Sequence, residues 1–273
     1  MKQAQLDKLH EILLMLANEV DRICKKNNIN YSIIGGTMLG AVRHKGFIPW
    51  DDDIDIGLLR NEYQRFLDAC KTDLDERFEL VNTSTDSDYV YGFSKMLIKG
   101  TNFVQKGHEN TTNKKGIFID IFPYDVIPDS SFKRRIQKFK NYFYIKMLRQ
   151  KSKVADEQNW GIKEKLIFRI LDFLCIFRTK KSLVMALEKN MIKYNKTDGK
   201  YVSNMSGFYG YTKETLPKNY FDSYKRMEFE NSELEVISKN IQALETIYGD
   251  YMQLPPVEQR RTHEFVILDF GEY

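Results

Sequence analysis

The chain has 273 residues, with 42 Lys plus Arg against 38 Asp plus Glu, a formal net charge of +4 and 42% hydrophobic residues. That composition is ordinary for a globular protein with a sizeable core; it excludes a wholly disordered chain and a polycation built to coat nucleic acid, so no nucleic-acid partner is expected. Cys24, Cys70 and Cys175 are far apart, which excludes a disulfide framework or a cysteine-rich metal site and fits a reducing compartment.

The opening stretch MKQAQLDKLH has no apolar signal core. The most apolar run, KLIFRILDFLCIFR, is broken by Arg169 and Asp172 before it reaches spanning length. A cytoplasmic location is therefore expected. The charge is unevenly spread: residues 132–181 carry 15 Lys and Arg against 4 Asp and Glu, leaving the rest of the chain acidic. An imbalance of this kind points to an anionic partner for one face.

Taken in order, Leu6, Leu9, Leu13, Leu16, Val20 and Ile23 recur every three or four residues and predict an amphipathic helix. Tyr31 to Ile34 reads as a short buried strand, followed by the Gly35-Gly36 turn and a helix from Thr37 to Val42. Gly46 to Trp50 is a loop, Ile54 to Leu58 a strand and Glu62 to Ala69 a helix. Phe78 to Val81 and Tyr89 to Ile98 are strand-like, with a hairpin expected around Lys99-Gly100. Lys106 to Lys115 is polar loop. Gly116 to Pro123 is an apolar strand with a single carboxylate, Asp120, inside it. Residues 131–195 read as basic helices. Ser232-Glu233-Leu234-Glu235 fits a capping box opening a helix that runs to Tyr248 and stops at Gly249.

The chemistry concentrates in two stretches. Asp51, Asp52, Asp53 and Asp55 put four carboxylates in five positions, an arrangement that raises their pKa values and calls for a nearby cation. On a strand, Ile54 and Ile56 turn to the core while Asp53 and Asp55 share the other face. Asp51 shares that face if the strand starts early, whereas Asp52 points away. Oxygen donors on one rigid face suit Mg²⁺, or Mn²⁺. A calcium EF-hand loop also begins DxDxD, but needs Gly at its sixth position, where this chain has Ile56. The Gly35-Gly36 turn and Thr37 offer backbone N–H groups to phosphate at a helix start. Arg43 and Lys95 are further phosphate candidates, with His44 and Lys45 weaker ones. Asp120, isolated in an apolar strand, is expected to be paired or metal-bound.

The run GGTMLGAVRHKGFIPWDDDIDIG, together with FIDIFP around Asp120 and GDYMQLPP with RRTH near the end, resembles the LicD family of phosphorylcholine transferases, related to fukutin-related proteins, within the nucleotidyltransferase-fold superfamily. The resemblance implies an α/β (α+β) fold, a mixed sheet flanked by helices. We divide the chain into a catalytic core (1–130), a basic helical appendage (131–195) and a C-terminal part packing on the core (196–273). It implies a metal-dependent enzyme that moves phosphocholine from CDP-choline to a sugar hydroxyl of a cell-surface glycan, such as lipopolysaccharide or a teichoic-acid precursor, releasing CMP. In that reading Asp53, Asp55 and Asp120 are catalytic metal ligands, with Asp51 beside them.

A quaternary ammonium needs aromatic faces, for which Trp50, Tyr89, Tyr91, Tyr124, Tyr209 and Tyr211 are candidates. His263 matches the family's terminal motif without a role that follows from sequence. Residues 132–181 are expected to touch an anionic membrane or a lipid-linked acceptor, above all through Leu166, Ile167, Ile170, Leu171, Leu174 and Phe177 with their neighbouring cations. Transfer of another phospho-group, a non-enzymatic metal-binding module and a membrane-surface adaptor are the rival readings.

Overall fold

The structure is a computed structural model, and it describes residues 1–154, 177–260 and 262–273. The apolar run expected to lie on a membrane falls largely at 155–176, outside the described residues.

Eighteen helices and strands, named here in chain order, build the described part. They are α1 (Gln3–Lys26), β1 (Ser32–Ile33), α2 (Gly35–His44), β2 (Asp55–Leu59), α3 (Arg60–Asp73), β3 (Phe78–Val81), β4 (Ser94–Ile98), β5 (Asn102–Gln105), β6 (Phe118–Ile127) and α4 (Ser131–Lys151). After residue 176 come α5 (Lys180–Met191), β7 (Tyr201–Asn204), α6 (Gly210–Lys213), β8 (Thr215–Pro217), β9 (Tyr224–Phe229), β10 (Ser232–Ile237), α7 (Asn240–Tyr248) and β11 (Phe265–Asp269).

The main sheet is mixed and ordered β1-β2-β6-β4-β3, with β7 and then β8 continuing from the far end of β6. Only β2 and β6 run parallel; the other pairs are antiparallel. A mixed sheet flanked by helices is the architecture the sequence led us to expect. Long β6 is the spine, because its first half pairs with both β2 and β4 and its second half with β7.

Alternation does the sorting in β2 and β6. Ile54, Ile56, Ile119 and Ile121 are all fully buried, and they meet the α1 stripe of Leu9, Leu13, Leu16, Val20 and Ile23, also buried, in one core. The opposite face of the same strands is left for polar side chains.

Three expectations fail for identifiable reasons. Ser232 does not cap a helix: residues 232–237 are a strand, β10, hairpinned onto β9. Leu234 and Val236 are buried at the period-2 spacing of a strand, and that pattern outweighs the capping-box residues. The helix begins only at Asn240, and it does stop at Gly249. The Lys99-Gly100 turn does not close a hairpin either, because β5 pairs with the distant β11 instead of β4. Finally, Tyr89 to Phe93 lie outside the ladder, and β4 starts at Ser94.

The β9–β10 hairpin braces the site-bearing edge. Tyr31 OH donates to Asp21 at 2.8 Å, and Asp21 is paired with Arg226 of β9. The Ile237 N–H donates to Ser32 Oγ at 3.1 Å. The turn residue Glu230 accepts from the Phe47 N–H at 2.9 Å, fixing the loop that leads into the acidic stretch.

Candidate active site

Two structural choices set the site. Gly35 takes φ +54°, in the left-handed region, to turn β1 into α2. A Cβ at Gly35 would stand 3.3 Å from Asp55 Oδ2, and one at Gly36 would stand 2.8 Å from Asp51 Oδ2. Both glycines therefore let the helix start lie directly against the carboxylates. The first N–H groups of α2 have no intrahelical partner and face the same space.

The second choice is register. Asp55 of β2 lies opposite Asp120 of β6, and Asp120 lies opposite Lys95 of β4. Two carboxylates and an ammonium thus form one row across three neighbouring strands. Lys95 Nζ is 2.8 Å from Asp120 Oδ1 and sits 3.2 Å from the centroid of the Phe118 ring. Lys95 is one of the cations the acidic stretch requires.

His263 is a second among the described residues. Its backbone N–H and its Nδ1 both donate to Asp52, the ring contact being 2.8 Å, and Nδ1 is 3.8 Å from Asp53 Oδ2. The hydrogen bond to Asp52, helped by the neighbouring acidic charges and opposed by burial, pushes the imidazole up to about 9. The ring is thus a cation at neutral pH. Asp52 has a side chain 1% exposed and turns away from the cleft into this contact.

The carboxylates facing the cleft are pushed up as well, above the range of an ordinary acid. Burial, then the charges of Asp53 and Asp52, hold Asp51 well above the usual carboxylate range. Burial, partly offset by His263, raises Asp53 to about 6. Burial, then the charges of Asp53 and Asp120, raise Asp55 strongly. Burial raises Asp120 against the opposing pull of Lys95. Two cations do not neutralise this cluster.

These groups line a cleft of about 1240 Å³, larger than the ~300–1,000 Å³ that holds one drug-sized ligand. Gly35, Gly36, Arg43, Trp50, Tyr124 and Tyr209 all reach it. Several of them are already engaged. Arg43 Nη1 donates to the Tyr251 carbonyl at 3.0 Å. Trp50 carries the Arg260 guanidinium 4.9 Å from its ring centroid, so one of its faces is taken. Tyr124 is 2% exposed and packs on Phe221, a floor residue more than a substrate contact. Tyr211 OH donates to Gln137 Oε1 at 2.7 Å, while Tyr89 lies outside the cleft lining. Tyr209 makes an edge-to-face pair with Tyr248 at 5.1 Å. Lys45 pairs with Glu228 at 3.1 Å, away from the cleft, and His44 accepts from Arg43 Nε.

The Thr37 hydroxyl is turned inward: it is buried and accepts the Asp55 N–H at 2.9 Å, so the side chain positions Asp55 while the backbone N–H stays at the helix start. Thr37→Val, of equal size, strands that donor. We expect a loss of about 1–3 kcal/mol in denaturant unfolding together with lower activity; an unchanged midpoint would remove the positioning role.

Sequence reasoning missed His10, Tyr248 and Glu214. His10 stacks on Phe47 at 3.9 Å, and burial lowers its pKa, so the neutral ring donates from Nε2 to the Asp51 carbonyl at 2.7 Å. Its place within the α1 stripe disguised it. Glu214 lines the cleft, accepts from the Tyr209 N–H at 2.8 Å, and occupies space that a Cβ on Gly207 would fill. Burial raises its pKa to about 7. The folded state therefore keeps a proton that the unfolded chain releases at its ordinary pKa, about 4.3. This group's stabilising share is complete below that value and is lost as pH rises to 7. Glu214→Gln is expected to flatten the fall in melting temperature between pH 5 and 7; a parallel profile would contradict the assignment.

Parallel β2–β6 pairing, a glycine turn into a helix and carboxylates in register beside it define a nucleotidyltransferase-type site. The family model described as LicD/FKTN/FKRP, nucleotidyltransferase domain, matches residues 28–155. The lipopolysaccharide cholinephosphotransferase LicD of Haemophilus influenzae is 33% identical over 270 residues, covering 96% of this chain and 97% of its own. The chain belongs to the LicD family and is a phosphotransferase. Shorter likenesses are to uncharacterised proteins of Rickettsia typhi, 48% identical over 54 residues (20% of this chain, 18% of that one), and Rickettsia prowazekii, 50% over 50 residues (18% and 19%).

Proposed function

We propose that this enzyme transfers phosphocholine from CDP-choline to a hydroxyl of a cell-surface glycan precursor and releases CMP. The observation that carries the reading is the Lys95–Asp120–Asp55 row beside the start of α2, in a chain that matches a cholinephosphotransferase nearly end to end.

The acceptor oxygen attacks the phosphorus that bears choline. The bond from that phosphorus to the bridging oxygen breaks, and CMP leaves with the oxygen. The hydroxyl proton passes to a carboxylate of the acidic cluster. The free N–H groups at Gly35 and Gly36 face the diphosphate, where the helix dipole favours negative charge. Arg43, in the last turn of the same helix, adds a cation to the cleft wall. Tyr209 and Tyr248 present aromatic surface suited to a trimethylammonium group.

Asp53, Asp55 and Asp120, with Asp51 beside them, would hold a divalent cation. Among the described residues no three acidic, His or Cys side chains already stand in a ligand arrangement. The donor set nevertheless fits Mg²⁺ or Mn²⁺, being all carboxylate oxygen and raised in pKa by mutual repulsion and burial. When bound, such an ion supplies positive charge to the phosphate oxygens and acidifies the acceptor hydroxyl.

A nucleotide donor places the reaction on the cytoplasmic side of the membrane. The acceptor is lipopolysaccharide-like by analogy with the relative, with a teichoic-acid precursor as the other glycan of matching chemistry. The test is CMP release with Mg²⁺ from CDP-choline, CDP-ethanolamine and CDP-linked polyols, with and without each acceptor. We expect CDP-choline to be the preferred donor. Preference for a polyol donor would overturn the phosphocholine assignment and leave the phosphotransferase intact.

A further inference from the structure

The first half of helix α4 is built inside out, whereas its second half buries Met147 and Leu148 in the core. Gln137 and Asn141 are among its most buried residues, at 2% and 3% exposure, while Phe132 and Phe139 are 70% and 68% exposed and Ile136 is 40% exposed. The inward polar side chains are anchored by hydrogen bonds. Gln137 Nε2 donates to the Asn190 carbonyl at 2.8 Å, Asn190 Nδ2 donates back to the Gln137 carbonyl at 3.1 Å, and Asn141 Nδ2 donates to the Met205 carbonyl at 2.6 Å. This hydrogen bonding fixes the rotation of the first half of the helix and leaves its phenylalanines facing outward.

At about 100° per residue, Phe132, Ile136 and Phe139 fall within roughly 60° of arc, with Asn141 opposite and Gln137 about 130° round; half-buried Phe143 continues this line to where the helix meets the core. Exposed Lys133 and Lys140 flank the stripe on one side and exposed Arg135 on the other. Phenylalanines edged by long cations are the composition of a helix that lies in a bilayer interface. A second copy of the chain would set the same cations against one another, whereas an anionic surface complements them.

We infer that the outer face of α4 docks the enzyme on an anionic lipid bilayer. The docking rests on α4 alone. Its consequence rests on the transferase reading: Lys138, Tyr142, Ile145 and Arg149, on the adjoining flank of the same helix, line the cleft. A bilayer beneath the stripe therefore lies at the cleft's edge, and the acceptor is a lipid-linked glycan presented from it.

The test uses the full chain and vesicle sedimentation, with no activity readout, so its failure is separate from failure of the transferase reading. Vesicles are phosphatidylcholine alone or phosphatidylcholine with phosphatidylglycerol at 3:1. The wild-type chain is expected to pellet with the anionic vesicles, and Phe139→Asp to reduce partitioning roughly tenfold or more. Phe139→Leu is expected to stay within about twofold of wild type, as is Val266→Asp on β11, an exposed apolar control outside the stripe. Because Phe139 is exposed, melting curves of both Phe139 variants should match wild type. Absence of wild-type pelleting, or unchanged pelleting of Phe139→Asp, overturns the inference. A solution dimer dispersed by Phe139→Asp would give the face to a second copy and overturn it equally.

Discussion

Asp55→Asn and Asp120→Asn are each expected to cut turnover by about 10²–10³-fold or more while leaving the fold intact. The two carboxylates are register partners on parallel strands, so neither can be replaced in function by a neighbour on its own strand. Both are raised in pKa by burial, and neutralising one relieves repulsion on the other. The melting temperature of Asp55→Asn should therefore hold or rise slightly as activity falls, whereas Asp120→Asn also weakens the Lys95 ion pair and should gain less. Asp53→Asn belongs with this pair. Asp52→Asn acts at one remove, through the placement of His263 and the charge felt by Asp51 and Asp53, and is expected to be milder. Near-normal turnover of Asp55→Asn or Asp120→Asn, or a larger loss from Asp52→Asn, would reverse the assignment of faces.

Asp125→Ala is expected to give the largest loss of stability, about 3–5 kcal/mol. Asp125 is fully buried on β6. It accepts two bonds from Arg60 at 2.8 and 2.6 Å, and one from Asn195 Nδ2 at 2.5 Å. Removing the carboxylate leaves a largely buried guanidinium, its side chain 20% exposed, without its partner. The pair joins the start of α3 to the second half of β6, and its loss should loosen the β6–β7 junction below the cleft. Denaturant unfolding of Asp125→Ala measures it, and a loss under about 1 kcal/mol would mean that Arg60 finds another partner or solvent.

Why the acidic row was legible while other parts were not follows from the range of the interactions. The alternation of Asp53, Ile54, Asp55 and Ile56 is local, and so is the lone carboxylate in Ile119-Asp120-Ile121. A period-2 pattern alone places both on a polar face. That Asp55 and Asp120 would be register partners, with Lys95 completing the row, depends on strand pairing across the chain, which no local pattern encodes. The same limit hid Glu214 and Tyr248, each reaching the cleft from an element with no signature of its own. The inward role of the Thr37 hydroxyl was hidden in the same way, because its partner, the Asp55 N–H, lies on another element. At Ser232, two local signals competed, and the strand period won because Leu234 and Val236 had a core to enter.

The most direct test of the acidic row as a phosphocholine-transfer centre is movement of label from CDP-choline, radiolabelled in the choline methyl groups, into a glycan acceptor with Mg²⁺ present. Wild-type enzyme should pass the label to the acceptor in step with CMP release, and the Asp55→Asn/Asp120→Asn double variant, folded by circular dichroism, should pass none. Label transfer at the wild-type rate by the double variant, or CMP release by wild type with no label reaching any acceptor, would contradict the account.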